Sequence, residues 1–289
     1  MKKWLKWLTP LLLVCLLIPK TAFADMQRGD MVVTLGENLT QEQKKLLLAE
    51  MNAPSNVEIV TVSNQEEHNY LDGKIASRLI GTRAISSSSI TIAAKGSGIT
   101  VKTKNINWVT EDMYKNALAT AGVKDAEIYV TAPFEVSGTA ALTGLIKAYE
   151  LKSDTKIPEE QKQAANEEMV ETAKLGDEIG ANDATNLVEK IKEEIATNPP
   201  KNDIQLRDII INAAKDLGIN LTDQQIQSLI DLFNKLQELG IDWNKVGDQL
   251  NAAKDKVTNY LKSEEGQSFL DKLKEFFISL IDAIKSLFS

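Results

Sequence analysis

Three groups of residues in this 289-residue chain have the types and spacing to do chemistry. Ser153-Asp154-Thr155-Lys156 matches the S-x-x-K of penicillin-recognising enzymes. That chemistry needs the serine buried at a helix start and a K-T-G element elsewhere. Here the motif sits in a polar connector before Pro158 and no K-T-G exists, so the match is read as coincidence. The second group is the run Ser86-Ser87-Ser88-Ser89, which follows Arg83 and precedes a Gly96-Ser97-Gly98 turn. The third is His68, the single histidine, which any Ser–His–acid relay would have to use. No serine lies in a G-x-S-x-G elbow, and a zinc site is not expected from one histidine when the single cysteine, Cys15, lies in the N-terminal apolar run. Carboxylates are abundant, so a glycosidase-type acid pair stays open by count, although no spacing raises one pair above another. Asp242-Trp243-Asn244 begins like a calcium loop but has no glutamate at the twelfth position. No catalytic residue, metal or cofactor is expected.

Two places suit a ligand. Ala132 to Thr139 reads as a strand end passing into a helix start, where backbone amides of Ser137, Gly138 and Thr139 would hold an anion. Gly81-Thr82-Arg83 offers Arg83 as an anion fork beside the serine run. The carboxyl ends of strands are where open α/β sheets place ligands, so Arg83 and the 137–139 turn are expected to share one small pocket. Capping and loop chemistry is the competing reading of both.

The elements that must position these residues can be read from periodicity. Met31 to Leu35 is a strand, Thr40 and Gln43 form a capping box for a helix from Gln41 to Met51, and Val57 to Val62 alternates as a strand. Ser63 and Glu66 make a second box, opening a helix that runs toward Leu79. The order recurs about 70 residues on: strand Ile99 to Lys104, helix Glu111 to Ala121 capped by Thr110, strand Glu127 to Thr131, helix Gly138 to Glu150. This predicts a duplicated βαβα unit with parallel strand pairs and helices packed on the sheet. Between the halves, Ile90 and Ile92 alternate with Ser89 and Thr91, so residues 88–94 are read as a strand in a hairpin with the strand from Ile99. The serine run is thereby sheet and turn, not a nucleophile.

Beyond Glu150 the β-branched runs vanish and helical segments follow from Glu159 onward, broken at Asn198-Pro199-Pro200. The reading is therefore α+β: an α/β region with a mixed sheet over residues 25–150, then an all-helical region over 151–289. The last segment, 266–288, puts Phe269, Leu273, Phe276, Phe277, Leu280 and Ile284 on one stripe. Such a stripe either fills a bundle core or meets an envelope protein or membrane surface. Its polar face is charge-balanced, which weakens the membrane case.

The chain opens with Lys2, Lys3 and Lys6, an apolar run from Trp7 to Ile18, and Ala22-Phe23-Ala24. This is the three-part pattern of a cleaved secretory leader, residues 1–24, with the cut between Ala24 and Asp25. The apolar run is far shorter than the roughly 20 residues a spanning helix needs. Cys15, the only cysteine, leaves with the leader, so the mature chain has no disulfide or thiolate chemistry. Four of 33 basic residues and none of 41 acidic ones leave as well, carrying the formal charge from −8 to −12. So acidic a chain has no electrostatic footprint for nucleic acid.

The stretches IGTRAISSSSITIAAKGSG (80–98) and AGVKDAEIYVTAPFEVSGTAALTGLIKAYE (121–150) resemble the YpuA-like family of extracytoplasmic proteins of Gram-positive bacteria. The resemblance covers nearly the whole chain. It implies secretion and the α/β-then-helical layout, and it brings no catalytic or binding residues, because the family is a domain of unknown function. The expectation is a secreted, non-catalytic cell-envelope protein acting as an interaction or surface-associated module. The alternative is a cell-wall hydrolase using paired carboxylates.

Overall fold

A computed structural model of the chain describes residues 29–153 and 155–262, together with Gln267 and Lys274. The leader with its Ala24–Asp25 junction and the amphipathic stripe of 266–288 fall outside the described residues. In chain order the elements are β1 (Met31–Gly36), α1 (Gln41–Glu50), β2 (Glu58–Val62), α2 (Asn64–Leu71), α3 (Ser77–Ile80) and β3 (Ser87–Ile92). Then come β4 (Ile99–Ile106), α4 (Glu111–Thr120), β5 (Ala126–Val136) and α5 (Thr139–Ser153). Five helices follow among the described residues: α6 (Glu159–Ile179), α7 (Ala181–Thr197), α8 (Asp203–Asp216), α9 (Asp223–Glu238) and α10 (Trp243–Lys262). The fold is α+β, with one mixed sheet in the N-terminal part and a helical C-terminal region. The reciprocal caps expected at Thr40–Gln43 and Ser63–Glu66 both form, and a third joins Thr222 and Gln225 at the start of α9.

The sheet order is β2-β1-β3-β5-β4. Pairs β1–β2 and β4–β5 are parallel, as the repeated β-α-β order predicts, and β3 runs antiparallel to both of its neighbours. The expected hairpin between residues 88–94 and the strand from Ile99 does not exist, because β5 lies between them. Asp125 explains how the connection passes: its side chain accepts from the Gly98 amide at 3.0 Å and its carbonyl from the Ala93 amide at 2.7 Å. The chain thus turns around the foot of β5 and emerges on its far side. Burial favours this arrangement, since Ser87, Ser88 and Ser89 are all buried, and a strand covered on both faces belongs inside a sheet.

Two layers cover the sheet. Val33 and Leu35 point toward α1, packing with Leu47, Met51, Ile85 and Ala132. Val32, Ile90, Ile128 and Val130 point the other way, into a core that takes in α4, α5 and the helices beyond. The two β-α-β units therefore repeat in element order but place their helices, α1 and α4, on opposite faces. The larger core is continuous from Val32 to Leu250. Within it lies a buried ion pair: Lys192 Nζ of α7 reaches Glu168 Oε1 of α6 at 2.5 Å, Thr120 Oγ1 at 2.7 Å and the Asn116 carbonyl of α4 at 3.0 Å. The helical region is tied to the sheet layer by charge as well as by apolar burial.

Helix α2 stops at Leu71 rather than running to Leu79. Gly73 follows in a left-handed conformation (φ +76°), and the chain restarts as α3 at Ser77. This break frees residues 72–86 to lie across the end of the sheet. Helix α5 starts at Thr139, one residue later than the sequence suggests, because Gly138 also has positive φ (+94°).

Candidate functional site

The carboxyl ends of the four like-directed strands β1, β2, β4 and β5 and the start of β3 share one edge of the sheet. A cleft of about 590 Å³ opens on this edge. Its walls come from the 78–86 segment, from Asn107 and Trp108 after β4, from Phe134 to Ser137 at the end of β5, from Glu67 of α2, and from Thr139 and Ala140 of α5. Arg83, Ser137 and Thr139 therefore line one cavity. Gly138 does not line it and serves packing instead. A Cβ there would lie 2.4 Å from Tyr114 Oη and 2.6 Å from Ile106 Cγ2, and the Gly138 carbonyl accepts from Tyr114 Oη at 2.5 Å.

The hydroxyls of the 137–139 turn are already engaged by protein acceptors. Ser137 Oγ donates to the Leu79 carbonyl at 2.9 Å, fixing α3 against β5. Thr139 Oγ1 donates to Glu67 Oε1 at 2.5 Å. Glu67 thus occupies the start of α5, the position the sequence reading offered to an external anion. The cationic side of the cleft is freer. One Arg83 nitrogen donates to the Asn38 carbonyl at 3.2 Å, and Asn38 Oδ1 accepts from the Ala84 amide at 2.8 Å. Arg78 is exposed and has no hydrogen-bond or ion-pair partner among the described residues.

Glu67 is not among the residues whose type and spacing mark a site in the sequence. It is only 1 % exposed. The available signal was its helical spacing: Glu67 stands one turn before Leu71, and both face inward. Burial raises its carboxyl to about 7, outweighing the hydrogen bonds from Thr139 and Asn64 and the attraction of His68. The group is therefore poised between its neutral and charged forms near neutral pH. Arg78, Trp108 and Glu135 also line the cleft without having been proposed for it; nothing in their local spacing marks them, because three separate elements bring them together. Trp108 is half-buried, its Nε1 held by both carboxylate oxygens of Asp177 at 3.1 Å, and Phe134 is 48 % exposed at the rim.

His68 stands behind the cleft. Its Nδ1 is 2.6 Å from Asp72 Oδ1 and its Nε2 is 3.1 Å from the Gly81 carbonyl. Both partners are acceptors, so the doubly protonated ring satisfies both, and the hydrogen bond to Asp72, reinforced by Gly81, holds its pKa above the usual value. The ring anchors the Gly81–Arg83 turn and reaches no serine. The serine run is likewise structural: Ser88 Oγ pairs with Thr34 Oγ1 at 2.6 Å and Ser87 Oγ donates to the Ile85 carbonyl at 3.3 Å. Ser153 is the last residue of α5, the wrong end of a helix for S-x-x-K chemistry. Among the described residues no cluster of histidine and carboxylate side chains could hold a metal ion, and no helix is long and apolar enough to cross a membrane.

The site is thus a polar cleft at the carboxyl edge of a mixed α+β sheet, with two arginines on one wall and a buried carboxyl at its floor. The chain belongs to the family described as a protein of unknown function (DUF1002), whose sequence profile matches residues 35–253. It is 53 % identical to the uncharacterized protein YpuA of Bacillus subtilis (strain 168), over 290 aligned residues that span the whole of both chains. No solved structure matches it significantly.

Proposed function

We propose that this chain is a secreted, non-catalytic recognition protein of the cell envelope and that the sheet-edge cleft is its ligand site. The observation that carries this reading is the convergence of Arg83, Arg78, Ser137 and Thr139 on one cavity at the sheet edge where α/β folds bind ligands. The leader pattern of residues 1–24 supports export, and the apolar stripe of 266–288 supplies a second surface by which the protein would attach to an envelope protein or a membrane. A purified chain of residues 25–289 should bind soluble wall fragments, raising its Tm, without clearing wall suspensions. Thr82→Trp places a bulky ring in the exposed mouth of the cleft and should remove that binding. Wall binding unchanged in Thr82→Trp would refute the assignment of the cleft.

A second reading has one specific observation in its favour. Glu67 and Glu135 line the same cleft, and Glu67 has the raised pKa that a general acid requires. Clearing of wall suspensions by the wild type, lost in Glu67→Gln, would favour a hydrolase over a binding module.

A further inference from the structure

Within the cleft the charges are unevenly matched. Arg78 has no partner among the described residues and Arg83 spends one nitrogen on a backbone carbonyl, so both retain donors toward the cavity. Facing them are Glu135 at the rim and Glu67 at the floor. With Glu67 neutral the cleft carries one net positive charge, on a chain whose overall charge is strongly negative. Local focusing of this kind selects a ligand by charge sign against the field of the rest of the protein. Guanidinium forks match planar or tetrahedral oxyanions. Trp108 and Phe134 add apolar wall on which a ring or polyol can rest.

Resting on the reading of the cleft as a ligand site, we infer that it takes a singly charged oxyanion, a carboxylate or a phosphodiester, against Arg78 and Arg83, and that binding delivers a proton to Glu67. The reason is electrostatic. An anion seated in this cavity shares it with the buried Glu67 carboxyl, and two like charges close together raise each other's cost. Protonation removes the repulsion and turns Glu67 from acceptor into donor. The neighbours offset that charge only in part, through the Asn64 amide at 3.4 Å and the attraction of His68, and burial outweighs both. On α2, Glu66 is paired with Lys147 of α5, and His68 already serves Asp72 and Gly81. From α6, Glu167 is paired with Lys74 and Lys235. Tyr114 of α4 is spent on Gly138, and α5 itself offers Glu67 only the Thr139 hydroxyl. Since the free carboxyl titrates at about 7, the coupling falls in the neutral range.

The test is calorimetric titration of the mature chain with N-acetylmuramate as carboxylate probe, glycerophosphoglycerol as phosphodiester probe and N-acetylglucosamine as neutral control. Buffers of different ionisation enthalpy report the protons taken up. Binding of either anion, weakened at least about tenfold in Arg78→Ala and Arg83→Ala, would support the inference, since each guanidinium would supply a charge-assisted hydrogen bond. Whichever anion binds identifies the source. Wild-type affinity should fall by about tenfold per pH unit above pH 7, with proton uptake, while Glu67→Gln stays flat. Anion binding indifferent to the arginines, or without proton uptake, overturns it. Binding of the neutral sugar alone, lost in Thr82→Trp, overturns it too but leaves the cleft a ligand site. Binding of nothing, wall fragments included, overturns both.

Discussion

Glu67→Gln should make the protein more stable at pH 8 and leave it unchanged at acid pH. In the folded chain burial moves the carboxyl from 4.5 to about 7. The native state therefore holds its proton more tightly than the unfolded chain does. Stability associated with the protonated group is complete below pH 4.5 and is lost progressively as pH rises to 7. At about 1.4 kcal/mol per pH unit, the gap between 4.5 and about 7 amounts to about 3 kcal/mol once the group is fully ionised. Glutamine keeps an oxygen for the Thr139 hydroxyl and carries no charge to desolvate. Asn64, the other partner at 3.4 Å, can turn its amide to accept from the new one. Urea unfolding of both proteins from pH 4.5 to 8, followed by far-ultraviolet circular dichroism, gives the difference directly. His68 titrates in both proteins, so its contribution largely cancels. The difference should be near zero at pH 4.5 and grow to about 3 kcal/mol in favour of the variant by pH 8. A difference independent of pH would refute the argument that burial governs this carboxyl.

Two further substitutions probe the frame around the cleft. Lys192→Met strands the Glu168 carboxylate in the core and should cost roughly 3–5 kcal/mol in urea unfolding. Adding Glu168→Leu should recover most of that loss, because it removes the orphaned charge. Gly138→Ala drives a methyl group into Tyr114 and Ile106 at positive φ, and should cost about 2 kcal/mol. Its lower Tm should come with weaker binding at the cleft, since Ser137 and Thr139 flank the distorted residue.

Much of the fold was legible because local chemistry and global packing agree. Thr40, Ser63 and Thr222 each have a glutamine or glutamate three residues on, and each starts a helix where that spacing says. The parallel pairs followed from β-α-β order. Strand order did not follow, since Ser88 to Ile92 has the same alternation whether it pairs with β4 or with β5. What distinguishes them is the double burial of the serines and the capture of Gly98 and Ala93 by Asp125, which are long-range facts. A glycine three residues before Ala76 was visible in the sequence, but that it ends α2 and lays 78–83 across the sheet edge depended on where β3 had to enter.

The sequence by itself determined the leader-like pattern of residues 1–24, the confinement of the single cysteine to it, the acidic charge and the α+β layout, because these rest on composition and on contacts a few residues apart. It also suggested that Arg83 and the 137–139 turn lie near one another, since strand ends of a parallel sheet gather on one edge. Tertiary structure alone decided what the cleft contains. Glu67 belongs to a short polar helix, and becomes buried only when Thr139, 72 residues away, closes over it. Its charge state follows from that burial, and burial is a property of the packed molecule that no local spacing encodes.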